Sequence, residues 1–432
     1  MPLSPHFPAP ARSRLRRIGW APGVIVLVAY IIGKMFYLSQ SGLPQPADLG
    51  LIALAPFFIR RQYLTATMGS VRPYIAFLGL VIVVNLVWLS ISQNMDFLQT
   101  IAFYGFNAIV FLFVLSVVGK HRSSIERSLT IGLFIAVAIQ IFVVMSHVGE
   151  AARSSGTFQN PNQLGYWALC VLGIFFLARQ ARAGLLELIF TSGALYIAFV
   201  SLSRSTILAI ALLAVVHFAR HAPRRTMAVL VAGLLAGTVV MLVPSPAQRS
   251  LEHRFQQMEA IEKLERRFAR ASEKSQLEVR GYDRITDNPT LVAVGAGEGY
   301  HERFSSIDRE LHSTIGTVLF SYGLLGMVAF LIFLGSLTGY TKILPYLYLA
   351  PFVFYGLAHQ GLRFSFFWVF CALLAASSRG LLSSSFRLNL PFRRGPSIPA
   401  RGAAAWRRPG YASASASASA SAPDLVRRRS PR

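Results

Sequence analysis

Arg204 lies in Ser201-Leu202-Ser203-Arg204-Ser205-Thr206, a polar turn between two apolar runs. A guanidinium stays charged in a partly dry site and offers phosphate oxygens a planar fork, with the Ser203 and Ser205 hydroxyls as further donors. A snorkelling arginine at a helix end is the plainer explanation. Arg280 and Arg284 are four apart in Arg280-Gly281-Tyr282-Asp283-Arg284 and share a face if that stretch is helical. One could hold a phosphate while the other pairs with an acid, and Glu278 and Asp283 supply an ordinary ion-pair alternative. His312 follows Glu310-Leu311 at the start of a long apolar run. Histidine is the side chain best poised near neutral pH to take a proton from an attacking hydroxyl, although it could also simply anchor the helix. His301, His359 and His147 have weaker contexts. In Gly156-Thr157-Phe158-Gln159-Asn160-Pro161-Asn162-Gln163, the amides of Gln159, Asn160, Asn162 and Gln163 suit sugar hydroxyls. A helix cap accounts for one or two of them and not readily for all four. No H-E-x-x-H spacing occurs, and no metal or other cofactor is expected.

The elements that must hold these groups are hydrophobic. The 432-residue chain is 54% hydrophobic and only 14% charged, with a mean hydropathy of +0.51; soluble domains average about 25% charged residues. Its apolar runs are long enough to cross a bilayer as helices and are apolar all round, which argues against a soluble helical protein. The expected fold is an all-α polytopic membrane protein with about 12 transmembrane helices and one long periplasmic loop. The spans fall near 20–38, 46–59, 73–91, 99–118, 128–147, 162–178, 185–202, 205–219, 226–243, 314–335, 343–358 and 363–378. The seventh and eighth meet in a tight turn at Leu202-Ser203-Arg204. Cys170 and Cys371 both lie in apolar runs and read as small packing residues.

Charge sets the expected orientation. Arg60/Arg61/Arg72, Lys120/Arg122/Arg127, Arg179/Arg182, Arg220/Arg224/Arg225, Lys342 and Arg379 fall on one side, and only Arg153, Arg204 and Arg363 lie near the membrane on the other. The positive-inside pattern then places both termini in the cytoplasm. The formal charge of +24 is spread through these short loops, which argues against a nucleic-acid partner. The organisation reads as a basic N-terminus over 1–19, spans over 20–243, an external loop over 244–313, spans over 314–378 and a basic tail over 379–432. The loop carries 12 of the 18 acidic residues. Leu251, Phe255, Met258, Ile261, Leu264 and Phe268 predict an amphipathic helix in its first half. Gly295-Ala296-Gly297-Glu298-Gly299 predicts a turn-rich second half able to close over a cavity. The tail, with its YASASASASASA tract, has the composition of a disordered segment.

Between 20 and 378 the chain resembles the O-antigen ligase and polymerase superfamily, bacterial inner-membrane enzymes that act on undecaprenyl-diphosphate-linked glycans. The resemblance rests on Gly156-Thr157-Phe158-Gln159-Asn160-Pro161-Asn162, Ser203-Arg204-Ser205, Arg280 ahead of Gly295-Ala296-Gly297, Glu310-Leu311-His312-Ser313 and Phe320-Ser321-Tyr322-Gly323-Leu324-Leu325-Gly326. It implies a periplasmic loop over a cavity, with Arg204 and Arg280 gripping the donor diphosphate and Arg284 replacing or assisting Arg280. His312 would deprotonate or orient the acceptor hydroxyl. Many relatives carry His-Asn where this chain has His312-Ser313. The implied reaction is metal-independent glycosyl transfer, and a single displacement inverts the anomeric carbon. The implied partners are the lipid-linked donor, a glycan or lipid A-core acceptor, membrane lipids and a chain-length regulator. The broad class favours polymerisation of O-antigen or exopolysaccharide repeats over ligation to lipid A-core, although no residue separates the two. A non-enzymatic transporter would instead show interrupted spans at matching positions of two halves with charges near the midplane.

Overall fold

The structure, a computed structural model, describes residues 21–39, 43–146, 153–179, 183–221, 281–304, 310–339 and 343–382. These belong to a compact unit spanning Met1–Ser385. Among the described residues every regular element is helical: α1 (Pro22–Gly33), α2 (Pro46–Phe58), the short α3 (Arg61–Leu64), α4 (Met68–Ser92), α5 (Asp96–Lys120), α6 (Arg122–Ser146), α7 (Pro161–Arg179), α8 (Leu185–Val200), α9 (Arg204–His221), the short α10 (Asp283–Asp287) and α11 (Pro289–Val294), α12 (Thr314–Leu337), α13 (Ile343–Ala358) and α14 (Ser365–Ser378).

Eleven of the twelve expected apolar segments are helical, and the ninth, 226–243, lies outside the described residues. Helices within Arg61–Ser92, Asp96–Lys120, Ser124–Ser146, Pro161–Arg179, Arg204–His221 and Thr314–Leu337 are long and apolar enough to cross a membrane. The chain is therefore an all-helical, multi-pass membrane-associated protein with about six candidate spans. The other apolar helices have 17 residues or fewer. At 1.5 Å per residue, the 14 residues of α14 rise only about 21 Å against a hydrocarbon core of about 30 Å. The first segment, expected over 20–38, starts at Pro22 and leaves the helix after Gly33, where the chain turns Lys34 towards α2.

At the centre of the bundle are α7 and α14. Every residue from Leu164 to Ala178 and from Ser365 to Ala376 is buried. α14 packs on α5, α7 and α12; α13 packs on α9, α12 on α4, and α1 on α6. The outer helices turn large apolar side chains outwards, including Ile75, Val83, Leu86 and Ile91 of α4 and Leu324, Leu325, Val328 and Leu331 of α12. Such a band would promote aggregation in water and is the normal surface of a helix in lipid.

α12 is not a continuous helix. Gly323 has φ +69° and ψ −171°, which breaks it about two and a half turns after its start at Thr314. The break frees the carbonyls of Phe320 and Ser321, and these accept from Ala296 N (2.9 Å) and Gly297 N (2.8 Å) of the glycine-rich turn. Trp88 Nε1 on α4 donates to Gly295 O at 2.9 Å, and Arg303 Nη2 donates to Ala296 O. The turn is thus bound into the bundle through its backbone. The amphipathic segment expected over 247–279 and the tail from 383 onwards lie outside the described residues.

Candidate functional site

A cavity of about 660 Å³ opens where several helices end together. One wall is Lys34 and Tyr37 after α1 and Asp48 in the first turn of α2. A second is Asn160, Asn162, Gln163 and Tyr166 at the start of α7. Glu310 and His312, leading into α12, form a third, and His359, Gln360, Arg363 and Ser365, between α13 and α14, form the fourth. The floor is apolar, from Ala102, Phe103 and Phe106 of α5. α2, α7, α12 and α14 all begin at this cavity, so the positive ends of four helix dipoles face it. Arg60, Lys120 and Arg179 lie at or just beyond the far ends of α2, α5 and α7: α2 ends just before Arg60, α5 runs from Gln99 at the cavity to Lys120, and α7 from Asn162 to Arg179.

Two charged groups are built into the walls. Lys34 Nζ pairs with Asp48 Oδ2 at 2.6 Å, both nearly inaccessible to solvent. Asp48 Oδ2 also accepts from Gln45 N at 2.9 Å, capping α2. Tyr30 donates to Ser365 Oγ at 2.7 Å, which ties this pair to the start of α14. The second group centres on Glu298, from the glycine turn. Its Oε2 accepts from Tyr104 (2.9 Å) and Tyr322 (2.7 Å), and its Oε1 from Gln360 (2.6 Å) and Arg363 Nε (2.8 Å). Its backbone N–H donates to Asn85 Oδ1 at 2.8 Å. Burial alone would raise the Glu298 carboxyl, but Arg363 and the hydrogen bonds from Tyr322, Tyr104 and Gln360 outweigh it and hold it below the usual carboxylate range.

Arg363 spans two environments. Its Nη1 donates to Glu310 Oε1 at 2.5 Å. The Glu298 side chain is 1% exposed, whereas that of Glu310 is 42% exposed. Burial works against the guanidinium charge, but the two carboxylates overcome it and raise the arginine further. His301 Nε2 lies 3.9 Å from Glu310 Oε1. Burial lowers its proton affinity more than Glu310 restores it, so the imidazole is held below its ordinary value. Arg303 packs over the rings of Trp88, Phe97 and Phe304, and burial pulls it down to about 10.

The structure brings together only part of the expected site. His312 lines the cavity and is exposed. Ser313 behind it caps α12, accepting from Gly316 N at 3.0 Å and donating to Gly356 O at 3.1 Å. Asn160, Asn162 and Gln163 line the cavity, while Gln159 donates to Ser39 O at 2.8 Å and does not. Asn160 Oδ1 accepts from Asn162 N at 2.8 Å, part of the turn that starts α7.

Arg204, Ser203 and Ser205 are not cavity residues. The tight turn forms as expected, with Leu202 at φ +51°. Ser203, however, is buried and shares a hydrogen bond with Thr206 (2.8 Å), so its hydroxyl is engaged within the turn. The turn reaches the cavity through Arg153, which donates to Ser201 O (3.0 Å) and Asn162 Oδ1 (2.8 Å). Arg284 is buried and lines a small separate cavity with Glu298, His301 and Thr317, behind Glu310 and Gln360. Arg280 lies outside the described residues.

The sequence reading missed Lys34, Asp48, Glu298, Gln360 and Arg363. Ionisable residues within apolar runs are the signal that finds the first pair, because such groups persist there only with a partner. Among the described residues no group of three or more His, Cys, Asp or Glu side chains could hold a metal ion. No protein-family model matches the chain, and no curated protein matches it. The family resemblance therefore stands on its short motifs alone.

Proposed function

We propose that the protein is a bacterial inner-membrane glycosyltransferase that moves a glycan from an undecaprenyl-diphosphate-linked donor to an acceptor hydroxyl, polymerising O-antigen or exopolysaccharide repeats. The observation that carries this reading is the cavity itself. It meets exposed His312, the neutral amides of Asn160, Asn162 and Gln163, and the guanidinium of Arg363 in one space large enough for a diphosphate and a sugar. In the proposed step the acceptor oxygen attacks the anomeric carbon, and the carbon–oxygen bond to the diphosphate breaks. The diphosphate leaves with the electron pair, and the acceptor proton passes to His312. The leaving group is already activated, so positioning and electrostatic stabilisation supply the catalysis. The cavity's place opposite Arg60, Lys120 and Arg179 supports a periplasmic active face with cytoplasmic termini. The twelve-span topology and the long external loop belong to this proposal.

A transporter is the second reading, favoured by the break in α12, since discontinuous helices mark many transport sites. Here the carbonyls freed by the break are occupied by the glycine turn, and the charges gather at helix ends, which favours the enzyme. The test is reconstitution with a defined undecaprenyl-diphosphate oligosaccharide, following glycan length and released undecaprenyl diphosphate. Elongation on lipid-linked acceptors supports polymerase, and transfer only to lipid A-core makes the protein a ligase. His312→Ala should lower turnover by roughly 10²-fold or more without loss of thermal stability. Wild-type turnover in a well-folded His312→Ala protein would sink the site.

A further inference from the structure

The two carboxylates on Arg363 are not equivalent. Glu298 is buried and fixed by four side-chain donors from α5, α12 and the α13–α14 connection. Those bonds occupy both its oxygens, and it has nowhere to go. Glu310 is 42% exposed, and its Oε1 accepts from Arg363 Nη1 at 2.5 Å. One guanidinium therefore faces two carboxylates. The second is surplus, and it sits on the cavity wall.

We infer that Glu310 is a displaceable occupant of an anion site on Arg363, and that the ligand which replaces it is a phosphate group entering the large cavity. The exchange keeps an anionic oxygen on the guanidinium, one carboxylate oxygen giving way to a phosphate oxygen. Arginine's donor fork matches phosphate geometry, so the ligand gains contacts that Glu310 makes singly. The released carboxylate has His301 as a neighbour, 3.9 Å away before any movement. Glu298 stays behind Arg363 throughout and keeps the guanidinium aimed into the cavity. Glu310 also lines the smaller cavity beside Arg284 and His301, so its departure has somewhere to lead. The phosphate's identity as part of a lipid-linked diphosphate rests on the glycosyl-transfer reading, whereas the anion site does not.

The experiment is equilibrium binding to the full-length, detergent-purified protein, with inorganic pyrophosphate and farnesyl diphosphate as probes. Glu310→Gln removes the competing charge and should tighten binding of at least one probe by roughly tenfold or more, as expected for removal of a charge-assisted competitor. A gain in affinity is a result that misfolding cannot produce. Arg363→Lys, added to Glu310→Gln, keeps a cation opposite Glu298 but loses the fork, and should abolish most of the gain. Unchanged or weaker binding in Glu310→Gln overturns the proposal, as does a gain that survives Arg363→Lys intact. Tighter binding of farnesyl diphosphate than of pyrophosphate supports a lipid-linked ligand, and the reverse overturns that part while leaving the anion site. A gain with no glycosyl transfer in reconstituted protein refutes the function and keeps the site; transfer with no gain does the opposite.

Discussion

Glu298→Ala tests whether the glycine turn is a structural keystone of the bundle. The carboxylate accepts four side-chain hydrogen bonds of 2.6 to 2.9 Å, from Tyr104, Tyr322, Gln360 and Arg363. Alanine leaves two buried hydroxyls without their acceptor and removes the fixed counter-ion of Arg363. Breaking a buried ion pair from one side costs about 3–5 kcal/mol, chiefly through the stranded charge. Glu310 still touches Arg363, which puts the expected cost near about 3 kcal/mol at the lower end of that range. Glu298→Gln should cost less. Its carbonyl can face Arg363 and Gln360 while its amide donates to the tyrosine hydroxyls, which rotate to accept. Only the charge is lost, at about 1.5–3 kcal/mol. Unfolding in detergent, followed by tryptophan fluorescence, should rank wild type above Glu298→Gln and Glu298→Ala lowest. Combining Glu298→Gln with Arg363→Gln should cost less than the two single changes added together, by at least about 1 kcal/mol. A Glu298→Ala protein within about 0.5 kcal/mol of wild type, the ordinary range for neutral surface changes, would refute the reasoning.

The same cluster predicts acid sensitivity. The Glu298 carboxyl is held below its ordinary range in the folded state, so its contribution is fully present above about pH 4.3 and is lost as the pH falls through the lower folded value. Melting temperatures at pH 7, 5, 4 and 3 should fall more steeply for wild type than for Glu298→Gln, and equal slopes would contradict this. Gly323→Ala should destabilise the break in α12 by about 2 kcal/mol or more, because φ is +69° and the added methyl would lie 2.5 Å from Ala293 O. Near-UV circular dichroism from Trp88 would report the release of the turn, and an unaltered spectrum with unaltered stability would count against the role given to that glycine.

Much of the helical architecture was legible because apolar runs alternate with basic clusters, and both signals survive without an alignment. Helix length was less legible. Pro22 and Lys34 shorten the first helix at both ends, yet the flanking Trp20, Tyr37 and Leu38 extend the hydrophobic run beyond it. Nor does sequence separate lipid-facing from protein-facing positions. α7 and α14 are buried throughout while α4 exposes a row of valines and leucines, and all three read as uniformly apolar. In the site, His312 and the Asn160–Gln163 amides were visible because polar side chains at the mouth of an apolar run stand out. Arg363 was read only as a topological charge, and Glu298 was hidden inside a glycine-rich turn. Their partnership spans 65 residues, and no local spacing reveals it.

The cluster around Arg363 joins two demands that usually conflict. A site for a charged ligand needs a cation that is neither neutralised nor free to wander. A bundle in lipid cannot tolerate a bare charge near its core. Here the buried side of the guanidinium is closed by Glu298, held in place by helices that the protein needs for its fold. The cavity side is closed by Glu310, on non-helical chain just before α12. Lys34 and Asp48 lack this asymmetry, since both are nearly inaccessible and Asp48 is committed to capping α2. The two ion pairs therefore have different expected roles, although both touch the same cavity. Lys34–Asp48 fixes the wall, and Arg363 with its exchangeable carboxylate is the part of the wall able to answer a ligand.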